Sequence, residues 1–306
     1  MGEDAKKIVY RRFVEEVIND GNIDIVPELF SEDYIDHTRP PGAPEGLDGV
    51  RMIPKMFRGA FPDLHFTLAD MVSEGDVVAT RVTGHGTNDG SFLGMPPTNR
   101  EATWASMGFF RVRDGKISEH WGVPDLLTLM TQLGVIPAPG DGAPASPPPT
   151  PAVPPADAGP PDPEANKAVM RHHIEGLFNK HDLSELDQWI VPDYVYHVMG
   201  QDVVGPEGYR QTVYPLWQGF PDARNEIQQI VAEGDRVATL FKATGTHQGE
   251  FFGVPPTGKP IEIYGITIER IVDGKRYEGW GVPDMLGLMQ QIGAVPAPGA
   301  PEPARA

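Results

Sequence analysis

The sequence predicts two tandem domains of the α+β class, and three observations carry that prediction. The chain repeats itself. Asp33-Tyr34-Ile35-Asp36-His37 returns as Asp193-Tyr194-Val195-Tyr196-His197, a shift of 160. Gly94-Met95-Pro96-Pro97-Thr98 and Trp121-Gly122-Val123-Pro124-Asp125 return as Gly253-Val254-Pro255-Pro256-Thr257 and Trp280-Gly281-Val282-Pro283-Asp284, a shift of 159. Solenoid units cycle at roughly 20 to 50 residues, so a period this long is a whole domain. Within each copy, apolar residues at helical spacing come first and β-branched segments follow, the order of a segregated helix layer and sheet. Between the copies, residues 137–163 hold 12 of the 33 prolines and almost no large apolar side chain. Such a stretch cannot offset the entropy of being ordered and reads as a linker. The domains are expected at 1–136 and 164–295, with a frayed tail over 296–306.

The elements follow in order. Tyr10, Phe13, Val14, Val17 and Ile18 mark a first helix ended by Asn19-Asp20-Gly21, where glycine supplies a left-handed cap. A short helix over 23–30 comes next, and a third over 46–61 contains Pro54 and stops at Phe61-Pro62-Asp63. Copy two matches with Val169, Met170, Ile174, Leu177 and Phe178, then 183–189. Strands are predicted at 64–72, 76–87, 102–112 and 116–123, punctuated by Glu74-Gly75-Asp76, Pro96-Pro97 and the hairpin turn Asp114-Gly115. Asp125 then caps a helix over 126–133 that Gly134 closes, and Asp284 to Gly293 repeats it. Each copy is thus helices, a curled antiparallel sheet and a short closing helix.

Composition excludes whole classes of function. With 25 basic against 43 acidic side chains the net charge is −18, which repels phosphate backbones and anionic lipid, so neither nucleic acid nor membrane is expected as a partner. No run of about 18 apolar residues occurs. The absence of cysteine removes disulfides, thiolate metal sites and thiol nucleophiles, and makes a reducing cytoplasm the expected location. His172, His173 and His181 lie near Glu175, but no two histidines stand four apart on one helix face and copy one has no counterpart. No metal is expected.

The ordered motifs Asp-Tyr-x-x-His, Phe-Pro-Asp, Glu-Gly-Asp-x-Val-Ala, Gly-Thr-His-x-Gly-x-Phe-x-Gly-x-Pro-Pro-Thr-Gly, Arg-x-x-Asp-Gly-Lys and Trp-x-x-x-Asp resemble the SnoaL-like polyketide cyclases of the nuclear-transport-factor-like superfamily. The resemblance covers both halves almost end to end. It implies two cone-shaped α+β barrels, each a curved sheet packed on helices around a deep, mostly apolar pocket. It implies a hydrophobic, carbonyl-bearing ligand and intramolecular aldol ring closure without metal or cofactor. It also places the acid/base carboxylate three residues before Asp125 and Asp284, where this chain has Gly122 and Gly281. A pocket histidine is implied where Gly108 and Thr267 stand, and a polar residue at Ser106 and Gly265.

Aldol chemistry needs a base for the proton beside a carbonyl and donors for the enolate. The candidates for acid/base work are Asp36 with His37, their counterpart His197, His120 on the last strand of copy one, and His247 of Gly-Thr-His. Alternation places Ser118, His120 and Gly122 on one strand face, so His120 is expected in the cavity if Gly122 is. Copy two offers Tyr277, Gly279 and Gly281 there. For His247, replaced by Asn88 in copy one, a loop-fixing role is favoured over proton transfer. Asp125 and Asp284 read as helix caps. The candidate ligand-pocket residues are Ser106, Trp121, Tyr196, Tyr264, Thr267 and Trp280. The competing reading is a non-catalytic binding or dimerisation module, because both acid/base positions are glycine. In either case the two copies are expected to pair within one chain.

Overall fold

A computed structural model describes residues 4–40, 42–136 and 149–296. In copy one, α1 (Ala5–Arg12) widens into a π-helical stretch over Phe13–Asn19, and a single turn, α2 (Val26–Leu29), leads into β1 (Phe30–Asp36). Then come α3 (Gly46–Ala60), the long strands β2 (His65–Glu74), β3 (Val77–Thr87), β4 (Glu101–Arg113) and β5 (Lys116–Pro124), and α4 (Leu126–Gln132). Copy two repeats this as α5 (Pro163–His173) with a π-helical Ile174–Asn179, α6 (Leu186–Trp189), β6 (Ile190–Val198), β7 (Gln201–Val204), α7 (Gly205–Gly219), β8 (Arg224–Glu233), β9 (Arg236–Thr246), β10 (Pro260–Val272), β11 (Lys275–Pro283) and α8 (Met285–Ile292).

The sheets run β1-β5-β4-β3-β2 and β7-β6-β11-β10-β9-β8. They are mixed rather than wholly antiparallel, because β1 and β6 lie parallel to β5 and β11. These strands, and β7, escape the sequence reading: β1 carries only two buried residues, Phe30 and Tyr34, and has no apolar alternation to announce it. The first helix of each copy is tied to its sheet by one amide. Asn19 donates to Phe66 O (2.9 Å) and accepts from Phe66 N–H (2.7 Å), and Asn179 does the same with Asn225. Asp125 and Asp284 cap α4 and α8 through Thr128 N–H (3.0 Å) and Gly287 N–H (2.9 Å).

Each sheet has two buried faces. The inner face packs on the helices of its own copy. The outer faces meet, Val72, Ala79, Met107 and Phe109 of copy one packing on Val231, Ala238, Leu240 and Ile268 of copy two. The flanking polar contacts are reciprocal. Lys167 pairs with Glu74 (2.6 Å), which also accepts from Ala232 N–H, while Lys7 pairs with Glu233 (2.6 Å), which accepts from Ser73 N–H. Reciprocity of this kind is the mark of a twofold interface, here approximate and within one chain.

Of the expected linker, residues 137–148 lie outside the described residues, as do 297–306 of the expected tail. Residues 149–162 run along copy two, with Ala152 N–H donating to Asp193 O and Gly159 N–H to Asp273, each at 3.3 Å. Among the described residues no helix is long and apolar enough to cross a membrane, and no group of three or more His, Cys, Asp or Glu is arranged to hold a metal.

Candidate functional site

In copy one the inner face of β4 and β5 contains a cross-strand glycine pair, Gly108 opposite Gly122. The space they leave is taken up by two rings: a Cβ placed on Gly122 would lie 2.5 Å from Cε1 and Nε2 of His120, and one on Gly108 would lie 2.6 Å from Cε2 of Phe110 and 3.4 Å from His120 Nε2. Phe110, the cross-strand partner of His120, stacks on the ring at 4.4 Å. Asp36, on the neighbouring strand, brings Oδ1 to 3.5 Å from Nδ1. The same oxygen accepts from Thr38 N–H and Oγ1, both at 3.0 Å, and Thr38 Oγ1 accepts from Gly122 N–H at 2.8 Å. Burial alone would raise the Asp36 carboxyl, but the hydrogen bond and charge of His120 with the Thr38 donors outweigh it and hold it below the usual range. Side-chain exposures of 21% for His120 and 22% for Asp36 leave the pair reachable from solvent.

Copy two builds a different site on the same backbone. Tyr196 stands where Asp36 does and points its hydroxyl over Gly281, into the space a side chain there would fill. Around it lies a cavity of about 130 Å³ lined by Phe241, Phe251, Ile261, Ile263, Met285 and other apolar side chains, with Tyr196, Tyr209, Thr267 and Asn225 among its polar members. Among the described residues no carboxylate or imidazole lines it. Burial raises the Tyr196 phenol well above its ordinary value, so it stays a neutral donor. Thr267 Oγ1 is buried with no hydrogen-bond partner among the described residues.

The corresponding volume of copy one is filled. Trp104 replaces Ile263, Phe66 replaces Asn225 and Phe57 replaces Leu216. Trp104 packs on Phe57, Phe61 and Phe66 with centroids 5.3 to 5.9 Å apart, and its indole and the Phe66 ring lie over Gly84, the counterpart of the cavity-lining Ala243. The expectation of a deep apolar pocket in both copies therefore meets a packed aromatic plug in the first.

Behind the copy-two cavity lies a charged cluster that sequence reasoning missed. Arg276 and Glu269, 1% and 0% exposed at the side chain, pair at 2.6 Å. Tyr194 accepts from Arg276 (2.8 Å) and donates to Glu269 (3.0 Å), Arg276 Nη1 lies 3.0 Å from His173 Nε2, and His173 Nε2 lies 2.9 Å from the hydroxyl of cavity-lining Tyr209. Burial pushes Glu269 up against the pull of Arg276, and burial with the Arg276 charge drives His173 well below its ordinary value. Arg276 reaches inward because of a β-bulge: the β10–β11 register shifts between Arg270 and Ile271, and the β4–β5 register does so at the same place. A bulge reverses alternation beyond it, so Tyr277 and Ser118 do not simply continue the face of Gly279 and His120. The signal was in the repeat: copy one has Phe13, Phe110 and Ile117 where copy two has His173, Glu269 and Arg276, three apolar residues exchanged together for polar ones.

The remaining candidates fall elsewhere. His37 stacks on Trp121 (4.1 Å) and pairs with Glu119 (3.0 Å), and His197 stacks on Trp280 (5.4 Å) and contacts Asp202 (2.6 Å) and Glu278 (3.3 Å). Neighbours on a strand point oppositely, so His37 is directed away from the Asp36–His120 pair. Trp121, Trp280 and Tyr264 belong to the outer faces, packed against the cluster between the copies, with Arg81 of copy one 4.2 Å above the Trp280 ring. They line the junction of the sheets, not the cavity. His247 is fully buried, its Nδ1 accepting from Thr257 N–H (3.3 Å) and meeting Thr257 Oγ1 (3.0 Å), which pins the β9–β10 loop as Asn88 pins the loop of copy one. Ser106 is half-buried on the inner face beside the plug. His172 pairs with exposed Glu185, and His181 stacks on Trp217, apart from the buried His173.

Comparison with known proteins follows these two halves. The family model described as SnoaL-like polyketide cyclase matches residues 8–133 and again 168–292. A nogalonic acid methyl ester cyclase from Streptomyces nogalater is 30% identical over 119 residues, covering 38% of this chain and 89% of the relative. The aklanonic acid methyl ester cyclase DauD of Streptomyces sp. (strain C5) is 31% identical over 148 residues, covering 45% of this chain and 88% of the relative. Among solved structures, TsrD from Streptomyces laurentii is 27% identical with a TM-score of 0.41, covering 44% of this chain and 99% of TsrD.

Proposed function

Because the chain belongs, in both halves, to the SnoaL-like polyketide cyclase family, we propose that it binds a hydrophobic, carbonyl-bearing small molecule of polyketide type and transforms it by cofactor-free acid/base chemistry, as ring closure or isomerisation. The observation that carries this reading is the apolar hollow of copy two with the neutral Tyr196 phenol over Gly281. A phenol directed into a water-poor cavity donates to a carbonyl oxygen and strengthens that bond as negative charge grows there. Thr267 offers a second hydroxyl from the same wall. At about 130 Å³ the hollow suits one aromatic ring, near the ~150 Å³ at which an engineered apolar cavity takes benzene. A larger polyketide would be held by one end, the remainder emerging past the half-exposed Phe252 at the rim.

One observation favours a binding-only role for this half: among the described residues its lining holds no carboxylate or imidazole. The test is calorimetry and thermal shift of the full chain with aklanonic acid methyl ester, a single-ring aryl ketone and the matching hydrocarbon. Tyr196→Phe is expected to weaken the ketones about tenfold and leave the hydrocarbon unchanged, the loss of one hydrogen bond of ~1.4 kcal/mol. Equal affinity of Tyr196→Phe for ketone and hydrocarbon would overturn the assignment of the phenol, and no binding of any of the three would overturn the cavity as a site.

A further inference from the structure

We infer that Tyr209 is a second ligand-binding hydroxyl of the copy-two cavity, held as a hydrogen-bond donor by the buried His173–Arg276–Glu269 cluster, so that the end of the ligand seated there carries two acceptor oxygens, as a dicarbonyl does. The inference rests on the reading of this hollow as the site of a carbonyl compound, and adds which residues hold its second oxygen. Tyr209 lines the hollow beside Tyr196, with ring centroids 5.3 Å apart. Its hydroxyl lies 2.9 Å from Nε2 of His173, and Arg276 Nη1 lies 3.2 Å from Nδ1 and 3.0 Å from Nε2 of the same ring. Arginine has hydrogens to give and no lone pair, so the imidazole accepts from it. With the lone pair on Nε2, Arg276 and Tyr209 would compete for it, and an Nδ1 proton would face the guanidinium. With the lone pair on Nδ1, Arg276 finds its acceptor there and Nε2–H donates to the Tyr209 oxygen, so each buried hydrogen is satisfied. The Tyr209 hydrogen is then left for the hollow.

The fold does not demand this cluster. Copy one has Phe13, Val50, Phe110 and Ile117 where copy two has His173, Tyr209, Glu269 and Arg276. The half plugged by Trp104 carries the apolar set, and the half that keeps a hollow carries the polar one. A buried ion pair adds little stability over packed apolar side chains, so its place beside the hollow is accounted for by what it does to the wall. Glu269 accepts from Arg276 Nε and Nη2, and Tyr194 accepts from Nη2, which fixes the guanidinium 4.9 Å from the centre of the Tyr209 ring. A cation at that distance steadies the ring and draws charge from its hydroxyl, which strengthens it as a donor. Tyr196 meets one oxygen of the ligand and Tyr209 the other, while His173, Arg276 and Glu269 act through Tyr209 as positioning residues.

The experiment uses the full chain and two readouts. Calorimetry compares propylbenzene, propiophenone and 1-phenylpropane-1,2-dione, one skeleton bearing no, one and two carbonyls, and the tautomer of His173 is read from its ¹⁵N shifts. The native chain is expected to hold the dione about tenfold more tightly than the ketone, the worth of one hydrogen bond, with the ring proton on Nε2. Tyr209→Phe is expected to abolish that step and to leave the step from hydrocarbon to ketone, which belongs to Tyr196. The combined His173→Phe, Glu269→Phe and Arg276→Ile keeps Tyr209 and strands no charge, so it serves even where Tyr209→Phe fails to fold; its dione preference is expected to fall to about threefold or less, a selectivity that a merely structural cluster would not move. A native chain without dione preference, a preference that survives intact in either variant, or a proton on Nδ1 overturns the inference, and a persisting step from hydrocarbon to ketone leaves the reading of the hollow standing. If none of the three compounds binds, the reading of the hollow fails and this inference fails with it.

Discussion

Replacing Ile263 by tryptophan would transplant the plug of copy one into copy two. The two residues are counterparts on β10 and β4, and each sits opposite a small residue, Ala243 or Gly84, on the adjoining strand. The hollow to be filled is about 130 Å³. Empty volume in a core costs ~24 cal/mol per Å³, so complete filling would stabilise the fold by ~3 kcal/mol at most. Against this stand the strain of a larger side chain, ~1 to 3 kcal/mol, and the Cβ of Ala243, which Gly84 lacks. The expected net change is ~0 to 2 kcal/mol in favour of the variant, read as a shift in urea midpoint with unchanged slope. The decisive assay is ligand-induced thermal stabilisation. The variant should lose the response to any compound that stabilises the native chain through copy two, because a ligand raises stability only by binding the folded state. A variant that keeps the full response would refute the hollow as the binding site. The reciprocal change, Trp104→Ile, should cost ~3 kcal/mol, softened by removing an indole N–H that is buried without a partner.

Other expectations are as definite. Glu269→Ala should destabilise the chain by ~3 to 5 kcal/mol in urea, since it strands the buried Arg276 guanidinium, whereas the combined His173→Phe, Glu269→Phe and Arg276→Ile, which restores the copy-one residues, should lie near neutral or gain stability. His173 resists protonation when folded, so below its ordinary value of 6.5 the unfolded chain binds more protons; stability is full above that pH and falls as pH drops through it, by up to ~1.4 kcal/mol per unit. His173→Phe should flatten that slope in urea titrations between pH 7 and 5, and an unaltered slope would show that another group sets it. Gly122→Asp should cost ~1 to 3 kcal/mol and displace the His120 ring, visible as loss of its close contact with Phe110 in NMR. Sedimentation of the full chain should report one chain per particle of 33.4 kDa, because the reciprocal Lys–Glu contacts and the apolar outer faces are already satisfied within it.

The sequence made the fold legible because the repeat aligned every long strand twice and the punctuation agreed: Asp114-Gly115 with Asp273-Gly274, Asp125 with Asp284. It hid β1 and β6, which pair in parallel through backbone contacts and show no apolar rhythm. Within the site, alternation put Ser118, His120 and Gly122 on one face, and a bulge interrupts it at Ser118. It could not say which face was the pocket, because both faces of each sheet are buried, one by helices and one by the other copy. Trp121, Tyr264 and Trp280 look like cavity walls for that reason and prove to be the seam between sheets. Nothing in the local pattern marks Glu269 and Arg276 as buried partners, because the register that brings them together depends on a bulged residue that composition does not mark.

The reciprocal junction of the outer faces has a consequence for how the two halves differ. In an assembly of identical subunits every substitution is made in all of them, so an indole that seals one hollow seals each. Joined end to end, the halves are free of that constraint: Trp104 occupies only one, the Glu269–Arg276 pair only the other, and His120 has no twin. The particle keeps the mechanical benefit of symmetry while each side is free to shape its own interior.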